Sequence, residues 1–165
     1  MKAVSNRKAI YGWALYDWAN SAFATTVMAG FFPIFFKKFS SAGMDATEST
    51  FNLGVANSAA SLIVLLIAPI IGAIADHGNN RRRFLAAFAC LGIVTTALLF
   101  VVAQGQWLFA AILYTLAIIG FSGANVFYDA LLISISKDEQ HHRISALGFA
   151  LGYLGGGILF ALNVF

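Results

Sequence analysis

Cysteine, histidine, proline and charge are all scarce in this 165-residue chain, and each scarcity removes a class of function. The one cysteine, Cys90, lies inside an apolar run, so no disulfide framework or thiolate metal site forms within one chain. The three histidines, His77, His141 and His142, are too few for a di-iron membrane enzyme, and the adjacent pair reads as a solvated loop feature. No metal, cofactor or catalytic group is expected. Two prolines and no low-complexity stretch leave no linker to part soluble domains. Charged residues make up 10% of the chain against 60% hydrophobic, with a mean hydropathy of +0.81, which is the composition of an integral membrane protein. A net charge of +3 does not point to nucleic acid, because the basic residues sit in short connections between apolar runs and not on one face or tail.

What is present is a series of five apolar runs, at about 10–36, 53–75, 84–103, 107–133 and 146–165. About 20 residues at about 1.5 Å each cross a hydrocarbon core, and every run is long enough. The first and fourth are longer than needed, which implies tilt. Connections are expected at Lys37–Asn52, Asp76–Arg83, Gln104-Gly105-Gln106 and Ser134–Arg143. A cleaved leader does not fit. Although Lys2, Arg7 and Lys8 precede the first run and Ala22-Phe23-Ala24 has a small-x-small form, that run contains Asp17 and Asn20 and continues to Phe36. Eight Lys and Arg fall on the side of the amino terminus, the Arg81-Arg82-Arg83 connection and the His141-His142-Arg143 connection, against Lys37 and Lys38 on the other. That imbalance predicts a cytoplasmic amino terminus. Tyr11, Trp13, Tyr16, Trp18 and Trp107 stand where interfacial anchors belong, though Tyr16 and Trp18 sit deep enough to be packing residues instead.

Charge inside a span costs about 2.5–3.5 kcal/mol at the bilayer centre, so each instance needs a reason. Asp17 lies about two turns inside the first span, with Asn20, Ser21 and Thr25 on the same helical face. Asp129 lies at similar depth in the fourth span, with Ser122 and Asn125 on its face. The two stripes are expected to face one another across a water-filled cavity. Two readings stand: the carboxyl groups satisfy backbone or Arg groups near the interface, or they form a substrate or proton site that exchanges as the cavity opens and closes. The third span, whose polar side chains are Cys90, Thr95 and Thr96, is a control facing lipid and neighbours. In the fifth, Gly148, Gly152 and Gly156 recur every four residues and predict close helix packing.

The connection from Gly72 through Asp76 to Arg81-Arg82-Arg83 resembles the cytoplasmic loop between spans two and three of the major facilitator superfamily. His77 stands where that loop has a permanent cation, and Asn79 where it has glycine. Asn tolerates the left-handed turn. By this resemblance Gly72, Asp76, Arg81, Arg82 and Arg83 form a conformational latch between helix ends in two halves. Gly148-x3-Gly152-Tyr153-x2-Gly156-Gly157 is similar to the fifth-span motif of antiporters, with Tyr153 in place of their proline. More narrowly, the run from Tyr11-Gly12-Trp13 through Tyr16-Asp17-Trp18-Ala19-Asn20-Ser21 to Phe23, and Phe127-Tyr128-Asp129-Ala130, resemble the vacuole-effluxer-like branch, which includes fungal autophagy-related amino-acid exporters. The resemblance implies an all-α integral membrane protein carrying five helices of a twelve-helix fold, an incomplete amino-terminal half. It also implies secondary active transport of a small solute, with amino-acid efflux one form, by alternating access around Asp17, Asn20, Ser21, Ser122, Asn125 and Asp129. Its partners are then the bilayer, the solute and the missing carboxy-terminal half; its location is the plasma or inner membrane in a bacterium and the vacuolar membrane in a fungus.

Two other classes compete. Gly120-Phe121-Ser122-Gly123 has the Gly-x-Ser-Gly form of intramembrane serine proteases, but a nucleophile needs a base beside it and all three histidines fall in connections. A non-transporting partner would associate through an exposed glycine face on the fifth span, as a dimer or on another helix.

Overall fold

The computed structural model describes residues 7–77, 80–136 and 138–165, without the side chains of Asp76, His77 and Asp138. Among the described residues five helices are long and apolar enough to cross a membrane: α1 (Arg7–Ser40), α2 (Ala46–His77), α3 (Arg81–Val101), α4 (Trp107–Ile135) and α5 (His141–Val164). A single turn at Asp138–Gln140 precedes α5, and the described residues contain no strand.

The helices outrun the apolar segments. The expected connection Lys37–Asn52 shrinks to residues 41–45, because helical hydrogen bonding continues through Lys37 and Lys38 on one side and resumes at Ala46 on the other. Hydrophobicity measures the thickness of hydrocarbon to be crossed, whereas the backbone ladder continues until a cap stops it. Here the caps are local. Gly43 adopts φ +88, and Asp45 accepts the Thr47 backbone N–H at 2.8 Å through its side chain, starting α2. Likewise Arg81, Arg82 and Arg83 form the first turn of α3 and not a loop, and the connection before α5 is short. The Gln104-Gly105-Gln106 turn is present. Gly105 has φ +83, and its N–H donates to the Phe39 carbonyl at 3.1 Å.

α1 is irregular in a way its sequence does not advertise. Over Phe23–Phe31 the ladder widens to five-residue spacing, and the Phe32 N–H donates to the Val27 carbonyl. The Thr25 hydroxyl donates toward the Ser21 carbonyl at 3.2 Å and the Gly156 carbonyl at 3.1 Å, competing for an acceptor that a regular helix uses. Thr25, Thr26 and Val27 are also all β-branched, which crowds a regular turn.

The chain divides into two compact units, Met1–Phe32 with Tyr128–Phe165, and Pro33–Phe127. In the first, α5 lies along α1, and Gly148, Gly152, Gly155 and Gly156 are buried there. The glycine face is therefore covered by α1 of the same chain, which removes the free surface on which a dimer or a helix-packing partner would rest. In the second unit, α3 crosses α4 where Gly92 meets Gly120, and the Phe84 and Phe88 rings stack on Phe127 at 5.4 and 5.9 Å. Thr115 donates to the Ala56 carbonyl at 3.4 Å, tying α4 to α2. Large apolar side chains such as Leu65, Ile93, Phe100 and Leu162 stay exposed, as lipid-facing residues do.

Candidate functional site

The polar cluster of the first unit is assembled from three helices, beginning with an aromatic frame. Trp13, only 8% exposed, stacks on Tyr128 with ring centroids 4.2 Å apart and planes 8° from parallel. Its indole N–H donates to the Tyr128 backbone carbonyl at 2.8 Å, which fixes α1 against the end of α4. Trp13 is thus a buried bracket and not the interfacial anchor its position near the chain end implied. Tyr16 adds a second ring, 5.3 Å from Tyr128, while Tyr11 stays exposed. Trp18 is partly exposed, and its backbone carbonyl and indole edge line the space beside Gly155.

Against this frame stand the two carboxylates. Asp17 is half-buried and Asp129 exposed, and the two are near enough to repel one another. The Ser21 hydroxyl and the Tyr128 hydroxyl both face the Asp17 carboxylate. The Tyr128 hydroxyl comes close without reaching hydrogen-bond geometry, and it and the Tyr16 hydroxyl are buried with no hydrogen-bond partner among the described residues. Two neighbouring carboxyl groups and two phenols without a partner among the described residues form an arrangement that a positive charge, a proton or a polar solute relieves.

The expected pairing of stripes is corrected in one respect. Asp17 does approach Asp129, but Ser21 and Thr25 turn toward α5, where Gly152 and Gly156 leave room for them. A stripe fixes which face is polar; which neighbour covers it depends on where backbones approach most closely, and glycine decides that. Asn20 is half-buried in the first unit. Ser122 and Asn125 are half-buried and belong to the second unit, further along α4. Sequence reasoning left out Trp13, Tyr16 and Tyr128 as site residues; the signal was their spacing, one turn before Asp17 and beside each aspartate.

The profile of a family described as vacuole effluxer Atg22 like matches residues 5–52 and 43–142. The chain belongs to that family. Among curated relatives of this Atg22-like chain, the MFS-type transporter YxiO of Bacillus subtilis is 39% identical over 92% of the chain, which corresponds to 36% of YxiO. A protein of Aquifex aeolicus is 28% identical over 88% of the chain and 35% of its own length. Autophagy-related protein 22 of Coccidioides immitis is 27% identical over 82% of the chain and 30% of its own length. The chain thus spans about a third of the length of the curated relatives it matches. No solved structure matches. With five apolar helices and this membership, the Atg22-like chain is a multi-pass membrane protein of a transporter family and not an enzyme.

That conclusion accounts for the Gly-x-Ser-Gly segment. A side chain at Gly120 would meet the Gly92 backbone and the Phe88 carbonyl, and one at Gly123 would meet the Phe88 ring, so these glycines serve the α3–α4 crossing. His141 lies at the start of α5, with its Nε2 3.3 Å from the Ser136 carbonyl oxygen. Of the latch residues, Gly72 lies within α2, and Arg81, Arg82 and Arg83 open α3 beyond Asn80. Positive charge at a helix amino end opposes the helix dipole, and a facing carboxylate relieves it. The Asp76 and His77 side chains, and all of Gly78 and Asn79, lie outside the described residues.

Proposed function

We propose that the full-length protein is a secondary active transporter that moves a small solute by alternating access, with Asp17 and Asp129 as the exchange site for proton or solute. The observation that carries this reading is the meeting of two membrane-embedded carboxylates with the unpartnered Tyr16 and Tyr128 hydroxyls, in a chain of a transporter family. Asn20, Ser21, Ser122 and Asn125 are the further polar candidates on the same helices. Amino-acid efflux is the form implied by the resemblance of Tyr11–Phe23; the family description as a vacuole effluxer supports efflux and names no solute. Asp76 and Arg81–Arg83 act as the conformational latch. The amino terminus faces the cytoplasm, so a cysteine at Arg82 labels from that side and one at Gly43 from the other; reversed labelling refutes the orientation.

The deciding experiment is solute movement by the full-length protein in proteoliposomes, against an amino-acid panel with and without a pH gradient. Saturable, gradient-coupled movement is expected. Asp17→Asn should reduce it about tenfold or more, the equivalent of one charge-assisted contact of about 1.5–3 kcal/mol. No movement above empty liposomes, or unchanged movement in both Asp17→Asn and Asp129→Asn, overturns the proposal.

A further inference from the structure

The glycines of α5 are not equivalent. At Gly157 a side chain would meet nothing within 4 Å, and at Gly155 it would meet the Trp18 backbone carbonyl. At Gly152 it would meet polar side chains: a Cβ would stand 2.7 Å from the Ser21 Oγ and 2.9 Å from the Asp17 Oδ2. One turn earlier, a Cβ at Gly148 would stand 2.9 Å from the Tyr128 hydroxyl, which belongs to a residue 6% exposed and has no hydrogen-bond partner among the described residues. Ordinary contacts of a Cβ lie at 3.4–4 Å, so Ser21 Oγ, Asp17 Oδ2 and Tyr128 Oη all occupy space that α5 side chains would otherwise fill.

We propose that Gly152 is a positioning residue for Asp17: its missing side chain is the seat in which the Asp17 carboxylate and the Ser21 hydroxyl are held, so the approach of α5 to α1 sets how that carboxyl group exchanges. The inference rests on the reading of Asp17 as an exchange site. The groups facing Asp17 are Tyr16 and Ser21 from α1 and Tyr128 and Asp129 from α4, while α5 presents Gly148 and Gly152. A methyl at position 152 displaces Ser21 and Asp17 or parts the helices, and either change alters the hydrogen bonding and solvation of the carboxyl group. Intrinsic helix propensity works the other way, since Ala is the better helix former by about 1 kcal/mol. Gly157→Ala is therefore the matched control, with the same propensity change and no new contact.

The test needs no transport. Dicyclohexylcarbodiimide modifies protonated carboxyl groups in apolar surroundings, and mass spectrometry of the peptide bearing Asp17 reads the modified fraction against pH in the purified full-length protein. Gly152→Ala should move the midpoint by about one pH unit, and Gly157→Ala should leave it in place. In a Ser21→Ala background, where the hydroxyl no longer occupies the space, the effect of Gly152→Ala should fall below half. An unmoved midpoint in Gly152→Ala, an equal shift in Gly157→Ala, or full additivity with Ser21→Ala overturns the inference. So does failure of Gly152→Ala to reach the membrane in both backgrounds while Gly157→Ala does. A shift in a protein that moves no solute defeats the transport reading and leaves this one standing; transport without a shift does the reverse.

Discussion

The two units of the chain use one device for two contents. In Met1–Phe32 with Tyr128–Phe165, glycines on α5 let the backbone close over a polar stripe, so that Asp17, Ser21, Thr25 and the Tyr128 hydroxyl lie where side chains would stand. In Pro33–Phe127, Gly120 and Gly123 let α4 close over the Gly92 backbone and the Phe88 ring, with Phe84, Phe88 and Phe127 stacked around them. The crevice beside that crossing, between Val64, Ile67, Phe88 and Phe127, is lined by apolar side chains and has a volume of only about 10 Å³, far too small for a solute. Close approach by glycine thus packs helices in both units, but in only one does it hold groups that carry charge. The count of small residues does not separate the two cases; the atoms that fill the vacated space do.

The sharpest way to break this comparison is at Gly120. A Cβ there meets backbone, 2.7 Å from the Gly92 Cα and 2.8 Å from the Phe88 carbonyl oxygen, and backbone cannot rotate away as a side chain does. Gly120→Ala should lower the stability of the full-length protein by about 3 kcal/mol, the upper part of the usual overpacking cost. Gly123→Ala should cost less, because the Phe88 ring it meets can turn. Thermal unfolding in detergent reads both. A larger loss at Gly123 than at Gly120 would show that ring stacking on Phe127, and not backbone contact, governs the second unit.

How far these contents were legible differs between the units for a physical reason. The five spans follow from long apolar runs, since a bilayer sets a minimum length for every helix that crosses it. The polar face of α1 follows from the spacing of Asp17, Asn20, Ser21 and Thr25, because helical geometry alone fixes which residues share a side. The partner of that face does not follow. Gly148, Gly152 and Gly156 announce close packing without naming the neighbour, and only the tertiary arrangement shows that α1 lies there. Trp13 was misplaced for a related reason: an aromatic near a helix end suits the interface or a buried bracket equally well, and its bond to the Tyr128 carbonyl spans 115 residues of sequence. The widened ladder at Phe23–Phe31 has local contributions in its β-branched run and the Thr25–Ser21 bond, but the Thr25 hydroxyl also reaches the Gly156 carbonyl, a contact across 131 residues that no local propensity encodes.

A change of intermediate size probes the frame of the first unit. Trp13→Phe keeps a ring over Tyr128 but removes the indole N–H that donates to the Tyr128 carbonyl at 2.8 Å. A net hydrogen bond contributes about 1 kcal/mol, so a loss of stability near that size is expected. Because the bond holds the backbone that carries Asp129, the change should also weaken solute movement, while an equal loss of packing at Phe84 in the second unit should affect stability alone. If Trp13→Phe and Phe84→Leu lower stability equally and neither touches transport, the units do not differ in the way described.

The smallest expected effect belongs to Asp45 of the second unit, a carboxylate whose side chain accepts a backbone N–H. Asp45 lies outside the spans at the start of α2, fully exposed, and its carboxyl group is held below the ordinary value of 3.8, chiefly by the Thr47 backbone N–H. A folded-state value that is depressed means that the unfolded chain binds the proton more readily, so the cap stabilises the fold above the ordinary value and is lost as pH falls through the folded one. Unfolding followed from about pH 5 down to about pH 2 should therefore show a decline in stability that Asp45→Asn removes, since Asn accepts the same N–H without titrating. The effect is small because water screens an exposed group on every side. A decline in Asp45→Asn as steep as in the parent would show that the cap does not set the response of the fold to acid.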